Sequence, residues 1–255
     1  MLLAIDIGNT NVTLGVFDNQ KLLVTWRMGT DIHRMPDEYA ATLINLLHYQ
    51  GLDVADIKAV SLCSVVPPLI ATFEELFRKY FLIEPLVVGT GVKTGVRIRL
   101  DNPREAGADR IVHAAAAHSL YGGTVIVVDM GTATTFDTVS KEGDHLGGAI
   151  APGIITASEA LFARAAQLYR VQLVPPKHAI GTSTVAALQS GIIYGYVGLV
   201  EGIVARIQKE LDEKAKVVAT GGNAEIIARE TKVIDIVNPD LILVGLRLIY
   251  EMNRP

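Results

Sequence analysis

Apolar runs broken by short polar turns fill the first part of the chain and predict buried strands. Three such runs follow one another closely at the start, which is the pattern of a strand–turn–strand meander. The run that begins at Ala59 stops at Pro67 and Pro68, because proline does not continue a central strand. Strands are therefore predicted at Leu2–Ile7, Val12–Phe17, Leu22–Arg27, Ala59–Val65 and Pro85–Val88.

Apolar residues spaced by three and four positions predict helices between and after these strands. In the first of these helices Tyr39, Leu43 and Leu47 recur at this spacing, and Pro36 suits the first helical turn. Similar patterns continue to the end of the chain. Helices are predicted at Asp37–Tyr49, Ile70–Tyr80, Glu105–Leu120, Thr156–Ala166, Thr184–Lys209 and Asp240–Asn253.

The strand pattern returns in the second part of the chain. Gly123–Asp129 and Thr134–Val139 predict two strands joined by a short turn, and Ala215–Thr220 predicts a third. Each part thus begins with an apolar strand, an aspartate, a glycine-containing turn and a second strand. We therefore predict an α/β protein of two similar halves, residues 1–100 and 101–255, each with a central mixed sheet flanked by helices. The boundary is expected near Val88–Asp101.

Charge and cysteine content exclude several classes of protein. The formal net charge is -4 and no run of Lys or Arg stands out, so a nucleic-acid binder is not expected. The single cysteine, Cys63, excludes an internal disulfide framework and a multi-cysteine zinc site. It lies in an apolar run, so we interpret it as a small buried hydrophobic residue.

The N-terminus lacks the basic region and small-residue cleavage site of a signal peptide. No apolar stretch is expected to approach the roughly 20 residues of a membrane span. A cytoplasmic protein without a membrane segment is therefore expected.

The first turn, from Asp6 to Asn11, combines a carboxylate with groups that suit phosphate. Gly8 allows a ligand to approach the backbone closely, and the turn amides with the side chains of Asn9, Thr10 and Asn11 offer hydrogen-bond donors. A carboxylate beside a phosphate requires a cation between them, which indicates Mg²⁺ at Asp6. An ordinary hairpin turn explains Gly8 and Asn9 equally well, but it does not explain a charge at the end of an apolar strand.

The second turn repeats this arrangement in Asp129-Met-Gly-Thr-Ala-Thr-Thr-Phe-Asp137. Asp129 is expected to serve a cation, and Thr132 to contact phosphate through its hydroxyl and backbone N–H. Thr134 and Thr135 are either further phosphate donors or simply residues that favour a strand, and the sequence leaves both readings open. Two such turns facing each other across a cleft would hold the phosphates of a nucleotide.

Paired Asp-x-Gly turns in duplicated α/β halves resemble the actin–hexokinase–Hsp70 ATPase superfamily, which has a ribonuclease H-like fold. That superfamily has a third segment, which contains Gly-Gly and faces adenosine. Val217-Val-Ala-Thr-Gly-Gly-Asn223 stands in the corresponding place, so the resemblance implies that Gly221 and Gly222 lie against the nucleoside. A plain strand-to-helix turn is the alternative explanation of these glycines.

A narrower resemblance, to type III pantothenate kinases, covers nearly the whole chain. It rests on Asp6–Asn11, Asp101-Asn-Pro-Arg-Glu-Ala-Gly-Ala-Asp-Arg110, Asp129–Asp137 and Gly221-Gly-Asn223. The resemblance implies ATP-dependent phosphorylation of pantothenate, an ATP site that includes Ile7, and a homodimer with its acceptor pocket at the subunit interface. It also implies that Asp129 binds a monovalent cation, potassium or ammonium.

The segment Gly107-Ala-Asp-Arg110 has chemistry that suits such an acceptor. An alcohol is a poor nucleophile at neutral pH, and an aspartate that accepts its proton orients the oxygen for in-line attack. Arg110 can bind a carboxylate with two parallel hydrogen bonds. The family implies the same roles, with Asp109 as proton acceptor and Gly107, Ala108 and Arg110 in the pantothenate site. A surface ion pair of little energetic value is the alternative.

Two other positions belong to the implied acceptor site. Thr184 matches a threonine that contacts substrate in the family, and it also suits the N-cap of the following helix. Leu100 stands where the family often has a tyrosine, so an apolar contact is kept and any hydroxyl contact is lost.

Two further functions compete with a kinase. A phosphatase of the same superfamily would use water as the acceptor, and a regulatory protein would keep the fold without the chemistry. The adjacent Asp109 and Arg110 favour a bound organic acid over water. The presence of Asp6 and Asp129 together with them argues against an inactive site.

Overall fold

The computed structural model describes residues 1–254 and contains two compact units. The first unit comprises Met1–Gly95, Arg104–Ala116 and the closing segment from Ile242, and the second comprises Val96–Pro103 and Ala117–Leu241. These units are defined by contacts within each unit, which does not test whether the chain consists of two related halves. The division into ATPase halves at residue 100 therefore stays a prediction.

The first unit is built on a five-stranded mixed sheet in the order β3-β2-β1-β4-β5. Strand β1 pairs antiparallel with β2 and parallel with β4. The predicted meander and the strand before the two prolines are thereby confirmed. The strands are β1 (Leu2–Ile7), β2 (Asn11–Asp18), β3 (Lys21–Gly29), β4 (Ala59–Ser64) and β5 (Leu86–Val87).

Helices α1 (Pro36–Tyr49) and α2 (Pro67–Leu76) pack on this sheet. Their core includes Tyr39 and Phe73, whose ring centroids lie 4.9 Å apart. Helix α2 continues into one turn of π-helix at Phe77–Phe81, so the predicted helix at 70–80 begins earlier and ends differently. Helix α3 (Ala108–Tyr121) follows a short 3₁₀ turn at Pro103–Glu105.

The second unit contains a six-stranded mixed sheet in the order β11-β10-β7-β8-β9-β6. The strands are β6 (Arg97–Ile98), β7 (Val125–Met130), β8 (Ala133–Val139), β9 (Asp144–Pro152), β10 (Lys216–Thr220) and β11 (Ile236–Val237). Helices α4 (Ile154–Arg164), α5 (Thr184–Glu210) and α6 (Ala224–Ala228) belong to this unit, whereas α7 (Leu241–Asn253) belongs to the first unit from Ile242 onward. One face of the sheet, including Ile126, Val128 and Phe136, forms a buried core with α5 and α6.

Helix α5 corrects one expectation from the sequence. Its 27 residues are long and apolar enough to cross a membrane by length and composition. Glycines and scattered polar residues interrupt its apolar residues, which is why no continuous run was visible. Ile193, Val200 and Val204 are buried in the core of the second unit.

Candidate active site

The first turn is a tight loop between β1 and β2. The Gly8 N–H donates to the Asn11 carbonyl at 3.0 Å, and a Cβ at Gly8 would lie 3.1 Å from the same oxygen. The Thr30 hydroxyl donates to the Gly8 carbonyl at 2.7 Å. These contacts hold the loop through Gly8, and Asn9 and Thr10 are exposed to solvent.

Asp6 shares its surroundings with Cys63 and Asp109. The parallel pairing of β1 and β4 sets Asp6 beside Cys63, whose thiol donates to Asp6 Oδ1 at 3.4 Å. Burial raises the pKa of the Cys63 thiol well above its usual value, and the charges of Asp6 and Asp109 raise that pKa further. Cys63 is fully buried, as expected, but its contact with Asp6 was not predicted from the sequence.

Asp109 is placed by the first turn of α3. Its Oδ1 accepts a hydrogen bond from the Arg110 backbone N–H at 2.8 Å. A Cβ at Gly107 would lie 2.5 Å from this same oxygen, so only a glycine at this position gives the carboxylate enough space. Ala108, Asp109 and Arg110 are half-buried, which keeps them accessible to a ligand.

The structure brings Asp129 together with the glycine turn that follows β10. Strands β7 and β10 run parallel, with Thr220 beside Asp129. Gly221 has φ +91°, and a Cβ there would lie 2.5 Å from Asp129 Oδ1 and 2.7 Å from the Met130 nitrogen. A glycine is thus required both by the backbone conformation and by the close approach to Asp129.

Thr132 is held through its carbonyl oxygen. That oxygen accepts hydrogen bonds from the Gly153 N–H at 3.0 Å and from the Thr156 hydroxyl at 2.7 Å. A Cβ at Gly153 would collide with the carbonyl oxygens of Gly131 and Thr132. The supporting role of Gly153 and Thr156 was not predicted from the sequence.

The remaining predicted acceptor residues lie in the second unit. Leu100 follows β6 and packs beside β9, where its Cδ2 would lie 3.3 Å from a Cβ at Gly147. Thr184 is exposed at the start of α5, but the side-chain cap of that helix is Ser183, whose Oγ accepts from the Ala186 N–H at 3.2 Å. The interpretation of Thr184 as the N-cap of this helix is therefore wrong.

The carboxylates suit a cation that is bound largely by phosphate and water. Among residues 1–254 no three or more His, Cys, Asp or Glu side chains form a cluster that could hold a metal ion. Mg²⁺ in kinases is commonly held by one or two carboxylates, substrate phosphates and water rather than by a complete protein cage. A single half-buried carboxylate at Asp6, beside a loop that suits phosphate, fits that donor set.

The mixed sheets, each with an Asp-x-Gly turn after an apolar strand, define an α/β protein of the actin-like ATPase fold, a fold shared by many kinases. The profile of the type III pantothenate kinase family matches residues 2–206, and the chain belongs to that family.

Relatives and a solved structure agree with both levels of this assignment. A type III pantothenate kinase from Dehalococcoides mccartyi (strain CBDB1) is 55% identical, with 99% of this chain and 96% of the relative covered. One from Moorella thermoacetica is 56% identical, with 99% and 100% covered. The structure of an inorganic polyphosphate/ATP-glucomannokinase from Arthrobacter sp. strain KM is 14% identical, covers 99% of both chains and has a TM-score of 0.53. At that identity it shows the fold alone.

Proposed function

We propose that the chain transfers the γ-phosphoryl group of ATP to pantothenate and forms 4′-phosphopantothenate, the first step of coenzyme A biosynthesis. Membership of the type III pantothenate kinase family carries this proposal. The charges of Asp6 and Asp109 both raise the pKa of the buried Cys63 thiol, which supports it, because a phosphate-binding and an acceptor-binding carboxylate must work close together. Formation of a product heavier than pantothenate by one phosphoryl group, followed by mass spectrometry, tests it.

We assign ATP binding to three turns. The first turn comprises Asp6, Ile7, Gly8, Asn9, Thr10 and Asn11; its backbone amides and polar side chains contact phosphate oxygens, and the Asp6 carboxylate reaches them through Mg²⁺. Thr132, with its carbonyl held by Gly153 and Thr156, directs its N–H and hydroxyl to phosphate. Gly221 and Gly222 lie against the nucleoside, where the missing side chains permit close approach.

Two cations accompany the nucleotide in this proposal. Asp6 would hold Mg²⁺ through its carboxylate, and Mg²⁺ neutralises charge on the phosphates. Asp129 would bind a monovalent cation, potassium or ammonium. The half-buried position of Asp129 against Gly221 supports this role, since a carboxylate there needs a positive partner when phosphates approach.

The acceptor is bound by residues around the start of α3 and by two positions in the second unit. Asp109 accepts the proton of the attacking hydroxyl, and Arg110 pairs with the pantothenate carboxylate. Gly107 and Ala108 line the same segment. Leu100 contributes an apolar contact and Thr184 a hydroxyl. The hydrogen bond from the Arg110 N–H to Asp109 Oδ1 supports this assignment, because it fixes the carboxylate and leaves the other oxygen for the substrate.

The active form is proposed to be a cytoplasmic homodimer. Gly191, Gly195 and Gly198 lie on the exposed side of α5, and a Cβ at any of them would meet no atom within 4 Å in the described part of the chain. These glycines therefore do no packing within one subunit, and close approach of a second copy would explain them.

Sedimentation tests the dimer. Analytical ultracentrifugation at micromolar concentration should give about twice the mass of one chain, and Gly195→Leu should shift the species toward the monomer. If the unsubstituted protein sediments as a monomer, the dimer is contradicted and the kinase assignment is unaffected.

A further inference from the structure

Three polar side chains, two of them buried, form a hydrogen-bonded series across β8 and β9. The Thr135 hydroxyl donates to Asp137 Oδ2 at 3.1 Å, and His145 Nε2 lies 2.8 Å from Asp137 Oδ1. Asp137 and His145 are both fully buried. None of the roles assigned so far uses these three side chains together. A buried carboxylate–imidazole pair lowers stability unless its hydrogen bonds are satisfied.

The hydrogen bond to Asp137 fixes the direction of the Thr135 hydroxyl. The Thr135 hydroxyl donates to Asp137, whose carboxylate oxygen accepts the hydrogen bond. The single hydrogen of Thr135 is therefore committed. What the oxygen can offer to any other neighbour is a lone pair, which suits a cation and does not suit a phosphate oxygen.

The strand register places this hydroxyl beside Asp129. Strands β7 and β8 are antiparallel, with Asp129 directly opposite Thr135. Opposite residues of such a pair share one face of the sheet, with Cβ atoms about 5 Å apart. Thr134 points to the other face, where its hydroxyl oxygen is buried. Of these two threonines, only Thr135 can share a ligand with Asp129.

We propose that Thr135 supplies an oxygen ligand to the monovalent cation at Asp129, with its lone pairs aimed by the Asp137–His145 pair. The proposal rests on the proposed function, because it takes the cation at Asp129 from there. It assigns Thr135 to the cation and removes it from the possible phosphate donors. Its half-buried side chain remains accessible to an ion.

The test compares Thr135→Val with Thr135→Ser and uses Thr138→Val as the matched control. Thr138 is a buried threonine on the same strand, on the opposite face from Thr135. Valine keeps the shape of threonine and removes its oxygen, whereas serine keeps the oxygen. Two quantities are measured for each protein: the K⁺ concentration for half-maximal activity, and the calorimetric affinity of a non-hydrolysable ATP analogue with Mg²⁺ at low and high K⁺.

Thr135→Val should raise the half-maximal K⁺ concentration by about tenfold or more, the size expected for one lost contact to a charged group. It should also lose most of the K⁺-dependent gain in analogue affinity, while saturating K⁺ restores turnover. Thr135→Ser should stay close to the unsubstituted protein, and Thr138→Val should match it.

The outcomes separate this proposal from the assignments beneath it. Thr135→Val with unchanged K⁺ dependence, or with turnover lost at every K⁺ concentration, would overturn the role of Thr135 and leave the cation at Asp129 standing. Indifference of the unsubstituted protein to replacing K⁺ by Na⁺ would overturn the cation and the role of Thr135 together. Pantothenate phosphorylation would stand in either case.

Discussion

Asp109→Asn should leave a folded protein that binds ATP but transfers almost no phosphoryl group to pantothenate. An amide of the same shape cannot accept the proton of the attacking hydroxyl, and loss of a general base commonly lowers turnover by about 10²–10⁴-fold. The backbone contact survives, because the amide oxygen of asparagine can still accept from the Arg110 N–H. Turnover is measured at saturating ATP, and ATP affinity by calorimetry.

Asp18→Asn is the matched control for this substitution. Asp18 is an exposed carboxylate at the end of β2 in the same unit, so its replacement should leave turnover and ATP affinity unchanged. Near-normal turnover of Asp109→Asn would remove Asp109 from the role of proton acceptor. A parallel loss of ATP binding would instead assign Asp109 to the nucleotide site.

Gly221→Ala should abolish measurable ATP binding and lower the free energy of unfolding. The backbone at φ +91° costs a non-glycine residue about 1–3 kcal/mol, and the new methyl group would lie 2.5 Å from Asp129 Oδ1. The turn or the Asp129 side chain must therefore move, and both belong to the proposed nucleotide and cation sites. Calorimetric titration with ATP and chemical denaturation measure the two effects.

Gly123→Ala is the control that separates the effect of backbone strain from the effect of the collision between a new methyl group and Asp129. Gly123 has φ +64°, and a Cβ there would meet no atom within 4 Å. It should lose stability for the same conformational reason while keeping its ATP affinity. If both variants bind ATP equally well, the close approach of Gly221 to Asp129 has no part in nucleotide binding.

Local pattern was enough to predict the strands that carry the site. Strands β1, β2, β7, β8 and β10 are apolar or β-branched runs ended by polar turns, and each is confirmed within a residue or two at its ends. Strand β9 was missed because Gly147 and Gly148 break its alternation. The two residues of β6 are too few to show any period.

The parts of the site that depend on pairing between strands far apart in the sequence could not be predicted. An aspartate after an apolar strand singled out Asp6 and Asp129 because a charge there requires a partner. The approach of Cys63 to Asp6 depends on the parallel pairing of β1 with β4, which are separated by more than fifty residues. The opposition of Thr135 to Asp129 depends on the turn Gly131-Thr132-Ala133, which pairs Met130 with Thr134 and so sets the register of β7 and β8.

The most direct test of the account is ADP release from the purified protein with ATP, Mg²⁺ and K⁺, with and without pantothenate. The account predicts strong release only with pantothenate, in equal amounts to a product that mass spectrometry identifies as 4′-phosphopantothenate. ADP release that is indifferent to pantothenate would contradict it in favour of a phosphatase or another acceptor. No turnover under any of these conditions would contradict it in favour of a regulatory protein.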